Sequence, residues 1–213
     1  MANRAYLVGS SNDDTAGPSA KGINYDPDTE ILAGASAIIP VFWLSLFNEF
    51  HLKTHIIEEY KIPAPVCQAA EGRKILLERR SRILATFAQC EPHWEAWERL
   101  ITEAPFQFIK LDSAEVWDLE PEVFEADLPL AVRWFSSGSA DDFAKLLSVA
   151  EIPARKPRGF LGRILGGTPS GYDSTTKRLS KLKDWRGQPD SVKHHLHGYK
   201  WVREVPWKDG EES

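Results

Sequence analysis

The segment from Ala37 to Phe47 is the most apolar in the chain and is interrupted only by Pro40 and Ser45. It reaches about half of the roughly 20 residues that a helix needs to cross a bilayer, so it belongs in a protein interior rather than a membrane. Pro40 suits the first turn of a helix, where its missing N–H has no intrahelical acceptor to lose. Val41, Phe42, Trp43, Leu44, Leu46 and Phe47 then leave almost no polar side, which predicts a helix buried nearly all round. Enclosing such an element takes a sizeable core. With 213 residues, 42% hydrophobic and 27% charged, the chain can supply one. No composition break marks a linker, so residues 1–213 are read as a single domain.

The opening Met1 to Val8 has one basic residue and a short apolar stretch, without the apolar core and cleavage site of a secretory signal. The only two cysteines, Cys67 and Cys90, make no disulfide framework, no CxxC pair and no sulfur-based zinc cluster. Both features lead us to expect a cytoplasmic protein with no metal or cofactor and no membrane association.

Local patterning predicts an α+β fold, mainly helical, with one small sheet built from N-terminal, central and C-terminal strands. Arg4 to Val8 reads as the first strand, followed by a polar loop of some twenty residues. Residues 51–60 are read as a helix ending before Pro63 and Pro65. Over residues 68–89, Leu76, Leu77, Ile83, Leu84 and Phe87 recur at helical spacing opposite Arg73, Arg79, Arg80 and Arg82. Pro92 opens a further helix with Trp94, Trp97, Leu100 and Ile101 on one face, and the two helices should pair as an α-hairpin. Phe106, Phe108, Ile109 and Leu111 suggest a strand ending at Asp112. Helices follow around residues 128–135 and from Ser139, where Asp142 three residues on completes a capping-box pattern. Residues 153–190 are basic and weakly periodic, which predicts a mobile connection with one short helix near residues 175–182. Residues 199–205 read as the last strand, and 208–213 as a frayed acidic tail.

The motifs for chemistry fall short. Gly162, Gly167 and Thr168 have the glycine spacing of a phosphate loop but lack its lysine and its feeding strand. His51 and His55 would share a helix face like the metal ligands of a zinc protease, but Leu52 stands where the general base belongs. His194, His195 and His197 cluster without an acidic or sulfur neighbour. Asp26, Asp28 and Glu30 alternate like a calcium loop but lack its glycine and terminal glutamate, so they read as a solvated loop. Neither a nucleophile elbow nor a cysteine in a catalytic setting is present. Trp43, Trp94, Trp97 and Trp134 sit at core spacing and are read as packing residues.

Charge is unevenly placed. Residues 1–150 hold 13 Lys and Arg against 23 Asp and Glu, whereas residues 151–203 hold 12 against 4. From Asp112 to Asp127 seven carboxylates occur in sixteen residues with no Lys or Arg: Asp112, Glu115, Asp118, Glu120, Glu122, Glu125 and Asp127. Apolar residues, Trp117 among them, interleave with these acids. Such a stretch is either a solvated helix and turn face or an interface for a basic partner with Trp117 as its anchor. The candidate partner-binding set is Asp112, Glu115, Trp117, Asp118, Glu120, Glu122 and Glu125. Two other readings stand beside it. Residues 155–186, with Phe160 and Trp185, suit phosphate contact in a nucleic-acid-binding or regulatory protein, although overall acidity disfavours that ligand. An enzyme would need a site assembled from distant residues, such as His93 or His194 with acidic groups.

Three segments together, Asn3 to Leu7, Ile39 to Phe47 and Gly198 to Trp207, resemble small bacterial cytosolic proteins akin to the immunity proteins of secreted antibacterial toxins, of the polymorphic and type VI kinds. That resemblance implies a protein that neutralises a cognate toxin by binding it. The partner it implies is basic, with nucleases among the candidates, and the means is surface complementarity rather than catalysis.

Overall fold

In a computed structural model of the chain, the structure describes residues 4–15, 29–36, 38–57, 59–87, 90–150, 195–198 and 200–201. Six strands form one sheet: β1 (Arg4–Ser10), β2 (Thr29–Ser36), β3 (Leu52–Ile57), β4 (Tyr60–Gln68), β5 (Phe108–Asp112) and β6 (Lys200–Trp201). Their order across the sheet is β3-β4-β5-β1-β2-β6, and every neighbouring pair is antiparallel. The helices are α1 (Val41–Leu44), α2 (Ala69–Thr86), α3 (Glu91–Glu103), α4 (Ala114–Trp117), α5 (Pro121–Ser137) and α6 (Ala140–Ala150). A 3-10 turn covers Glu49–His51. The fold is α+β, and its sheet joins N-terminal, central and C-terminal strands as expected.

The sheet is wider than its sequence signals, because β2, β3 and β4 join those three. β2 falls partly in the segment read as a polar loop, and Glu30, assigned there to solvated loop, lies within it. Between Leu7 and Val8 the β1–β2 register slips by one residue, and the extra residue, Leu32, is fully buried. Residues 51–60, read as helix, instead make the start of the β3–β4 hairpin. Thr54, Ile56 and Ile57 are β-branched and favour strand. Pro63 and Pro65 hold Ile62 and Ala64 extended, so the two prolines run through a strand where a helix end was expected.

That hairpin tolerates its prolines for a geometric reason. Antiparallel partners exchange both main-chain hydrogen bonds or neither. Pro63 faces Thr54 and Pro65 faces Leu52, and without an N–H these must be the non-bonded pairs. The main chain of Pro63 therefore turns to the opposite flank, where its carbonyl accepts the Ser113 hydroxyl at 3.0 Å. By the same alternation, Thr54 and Ile56 point their N–H and C=O groups away from β4, toward the outer edge of the sheet.

Ala5, Leu7, Ala33, Ala35, Cys67, Ile109 and Leu111 share the core with the helices. At its centre sits α1, with Val41 to Leu44, Leu46 and Phe47 all fully buried. Trp43, Trp94, Trp97 and Trp134 are core residues, as their spacing implied. Phe106, expected to begin a strand, lies before β5, and its ring rests on Gly9 so closely that any side chain there would collide with it. Helices α2 and α3 pack as the expected hairpin, with Arg80 reaching Glu91, Glu95 and Glu98 across it.

One face of α2 departs from the sequence pattern. Leu77, assigned to the apolar stripe, is 51% exposed, while Arg79, assigned to the polar side, is 7% exposed. Gly72, Leu76, Arg79 and Ile83 form the buried stripe at spacings of three and four. Arg79 donates to the carbonyls of Ser45 and Phe47, just past the end of α1. Arg73 donates to those of Ile101 and Ala104 at the end of α3. Arg82 donates to those of Trp134 and Phe135 at the end of α5. Carbonyls at or just past three helix ends thus accept from arginines of one helix, Trp134 O in addition to the Gly138 N–H.

At the start of α6, Asp142 N–H donates to the Ser139 hydroxyl at 3.3 Å, which bears out Ser139 as the cap. The Asp142 carboxylate turns to Arg133 and Ser137. Between residues 195 and 201 the chain returns to the core. His197 O accepts Trp43 Nε1 at 3.1 Å, and β6 pairs with β2. The readings made for residues 153–190 and 208–213, and for the last strand beyond Trp201, lie outside the described residues.

Candidate functional site: an acidic corner beside the β3–β4 hairpin

The acidic stretch runs from the end of β5 through α4 into α5, and the fold divides its carboxylates into two groups. The first group is structural. Asp112 is buried, and its Oδ1 accepts the Ala114 N–H at 3.2 Å, which shapes the turn into α4. Glu115 is half-buried and accepts the Arg4 N–H at 2.9 Å, closing the start of β1. Glu120 is half-buried, and it is its main-chain carbonyl that accepts the Phe124 N–H as α5 begins. Asp127 is buried and pairs with Lys145 of α6 at 2.9 Å.

The second group faces water. Asp118, Glu122 and Glu125 are exposed, and among the described residues no cation pairs with any of them. Glu122 lies in the first turn of α5, where the helix dipole favours a carboxylate without neutralising it. Three like charges left on one corner project a negative potential toward solvent.

Trp117, the expected anchor, is 7% exposed. Its indole N–H donates to Glu125 Oε1 at 2.9 Å, and its ring meets that of Tyr60 edge-on, centroids 5.5 Å apart. Trp117 therefore positions Glu125 from below. The exposed aromatic is Tyr60, next to the turn of the hairpin and 48% exposed, with Leu119 also open to solvent. Tyr60 lies more than fifty residues upstream of the acids, and it was unmarked in the sequence because the segment around it read as helix. Its strand and its contact with Trp117 exist only once the hairpin folds.

The histidine and cysteine candidates do not assemble into a centre. His51 Nδ1 accepts the Asn48 N–H at 3.1 Å, and its Nε2 lies 3.1 Å from Glu71. His55, on β3, bonds the Thr15 hydroxyl at 2.8 Å. The two are separated by the change from turn to strand and share no helix face. His93 stacks on His197 with centroids 5.2 Å apart, and His195 bonds the Ala150 carbonyl. Among the described residues no three His, Cys, Asp or Glu side chains are placed to hold a metal ion. Burial pushes the thiols of Cys67 and Cys90 each up to about 12, so both are neutral packing groups rather than nucleophiles. No helix among the described residues is long and apolar enough to cross a membrane. Gly162, Gly167 and Thr168, the basic residues 155–186 with Phe160 and Trp185, and His194, Asp26 and Asp28 lie outside the described residues.

Comparison with family models, with curated proteins and with solved structures finds no match to this chain. The corner is therefore interpreted from its own geometry.

Proposed function

We propose that this chain is a binding protein that neutralises a cognate toxin, and that it docks a basic partner on the corner formed by Asp118, Glu122 and Glu125. The observation that carries the proposal is the set of exposed carboxylates without cations around a half-exposed Tyr60. A protein interface of this kind gathers charge at its rim for encounter and places an aromatic side chain where contact is made. The likeness of Asn3 to Leu7, Ile39 to Phe47 and Gly198 to Trp207 to immunity-type proteins supports the toxin as the partner class. A nuclease-like toxin, basic because it binds phosphates, matches the charge.

The test is a pull-down with the tagged chain at low and then moderate salt, followed by association kinetics with the recovered protein. A stoichiometric basic partner, toxic when produced alone, should associate about tenfold more slowly with the triple variant D118N/E122Q/E125Q, and with a flatter salt dependence. Unchanged association rates would remove the corner from the interface. Recovery of nucleic acid instead of protein would move the function to the basic segment.

A further inference from the structure

Among the described residues, exposed apolar side chains occur on or beside the β3–β4 hairpin, as well as at Leu77 of α2 and at Leu119. Phe50, 94% exposed, lies in the 3-10 turn just before β3, and Ile56 (64%) and Tyr60 (48%) lie in the hairpin that ends the sheet. Here β3 has β4 on its inner side, and among the described residues no strand pairs with its outer side. Thr54 and Ile56 direct their main-chain N–H and C=O groups to that outer side, as the proline-bearing pairs require. Proteins that keep such an edge from pairing place charge on it. The lysine of this strand, Lys53, is drawn off by Asp13, whose carboxylate it meets at 2.9 Å. Among the described residues the edge thus carries no partner strand, is apolar at Phe50 and Ile56, and has its own lysine paired, while Lys61 of β4 stands exposed opposite Ile56.

Resting on the docking function proposed above, we propose that the outer edge of β3 receives an extended segment of the protein partner as a seventh strand. That segment alternates apolar with basic residues. Its main chain bonds Thr54 and Ile56, its apolar side chains cover Phe50 and Ile56, and its basic side chains meet Glu59 and the corner beyond Tyr60. Strand addition draws affinity from main-chain hydrogen bonds and specificity from alternate side chains. Charge selects the occupant: a basic strand is attracted to the acidic corner at the Tyr60 end of this edge.

The test uses the full chain and a labelled peptide of alternating lysine and valine, followed by fluorescence anisotropy and residue-level amide exchange. The same peptide N-methylated at alternate amides keeps charge and side chains but cannot complete the ladder, and a glutamate-for-lysine version inverts the charge. Binding of the lysine peptide should slow exchange at Thr54 and Ile56. The methylated and glutamate peptides should each bind at least tenfold more weakly, and I56K should weaken the lysine peptide in a chain that melts as the wild type does. Equal binding of the methylated peptide, with Thr54 and Ile56 exchanging as before, would overturn strand addition while leaving the acidic corner intact as a docking site. Equal binding of the glutamate peptide would overturn it together with the basic-partner reading. Failure of the lysine peptide to bind, or a dimer in sedimentation that I56K abolishes, would also overturn it, the latter by showing a second copy on the edge.

Discussion

Arg79 is a cation in the interior whose partners are carbonyl oxygens, those of Ser45 and Phe47, with its guanidinium 5.0 Å above the Phe135 ring. Burial pulls its pKa down to about 10, still far enough above neutrality for the guanidinium to stay charged. Removing it leaves buried acceptors without donors and opens a cavity, so Arg79→Ala should cost about 3 kcal/mol of unfolding free energy in urea titrations. Arg80→Ala, which loses only a solvated ion-pair network, should cost less than about 1 kcal/mol. Asp142 carries a pH signature. Hydrogen bonds from Arg133 and then Ser137 hold its carboxyl below the usual aspartate value. A lowered folded-state pKa adds stability above the unfolded pKa of about 4 and loses it as pH falls through the folded value. Asp142→Asn should therefore lower the melting temperature at pH 7 and leave it nearly unchanged at pH 2, measured against the wild type at each pH.

At the scale of elements, the helices with a single decisive signal were legible and the strands of the hairpin were not. Helix α3 announces itself through Pro92 and the Trp94, Trp97 and Ile101 face, and α6 through its Ser139 cap. The 51–60 segment failed because His51 and His55 stand four apart, as on one helix face, while the two prolines were read as a stop. In a strand the same prolines are neutral, since their missing donors fall on the flank that meets Ser113. The carboxylates of the site were legible by composition, but which of them would be consumed by Arg4, Lys145 and the α4 turn depends on contacts between distant segments. Helix α2 misled in a different way, because an arginine that caps a neighbour occupies a core position that periodicity reserves for leucine. Its orientation makes a paired prediction: Leu76→Ala should destabilise by about 2–4 kcal/mol, whereas Leu77→Ala should fall within about 1 kcal/mol of wild type in the same urea titration.

For the whole molecule, β1 and residues 195–198 with β6, which are distant in sequence, are bound to elements of the middle of the chain. Residues 195–198 lie against α1 and α3, and β6 closes the sheet on β2. Gly198 makes that return possible. Its φ is +84°, and a Cβ there would come within 2.8 Å of both the Gly34 carbonyl and the Trp43 ring. Gly198→Ala should therefore destabilise by more than about 1 kcal/mol, with a change in near-ultraviolet circular dichroism from the Trp43 environment. Unaltered stability and spectrum would show that the segment does not bear on the core.

The arginines of α2 have a consequence for how the protein opens. The last turns of α1, α3 and α5 would ordinarily fray separately, each on its own free-energy scale. Here carbonyls in the last turns of α3 and α5, and those of Ser45 and Phe47 just past α1, accept from Arg73, Arg82 and Arg79, so all three ends draw a donor from the one helix α2. Displacement of α2 would remove all three donors together, and amide exchange in these separate turns should therefore show a shared opening component.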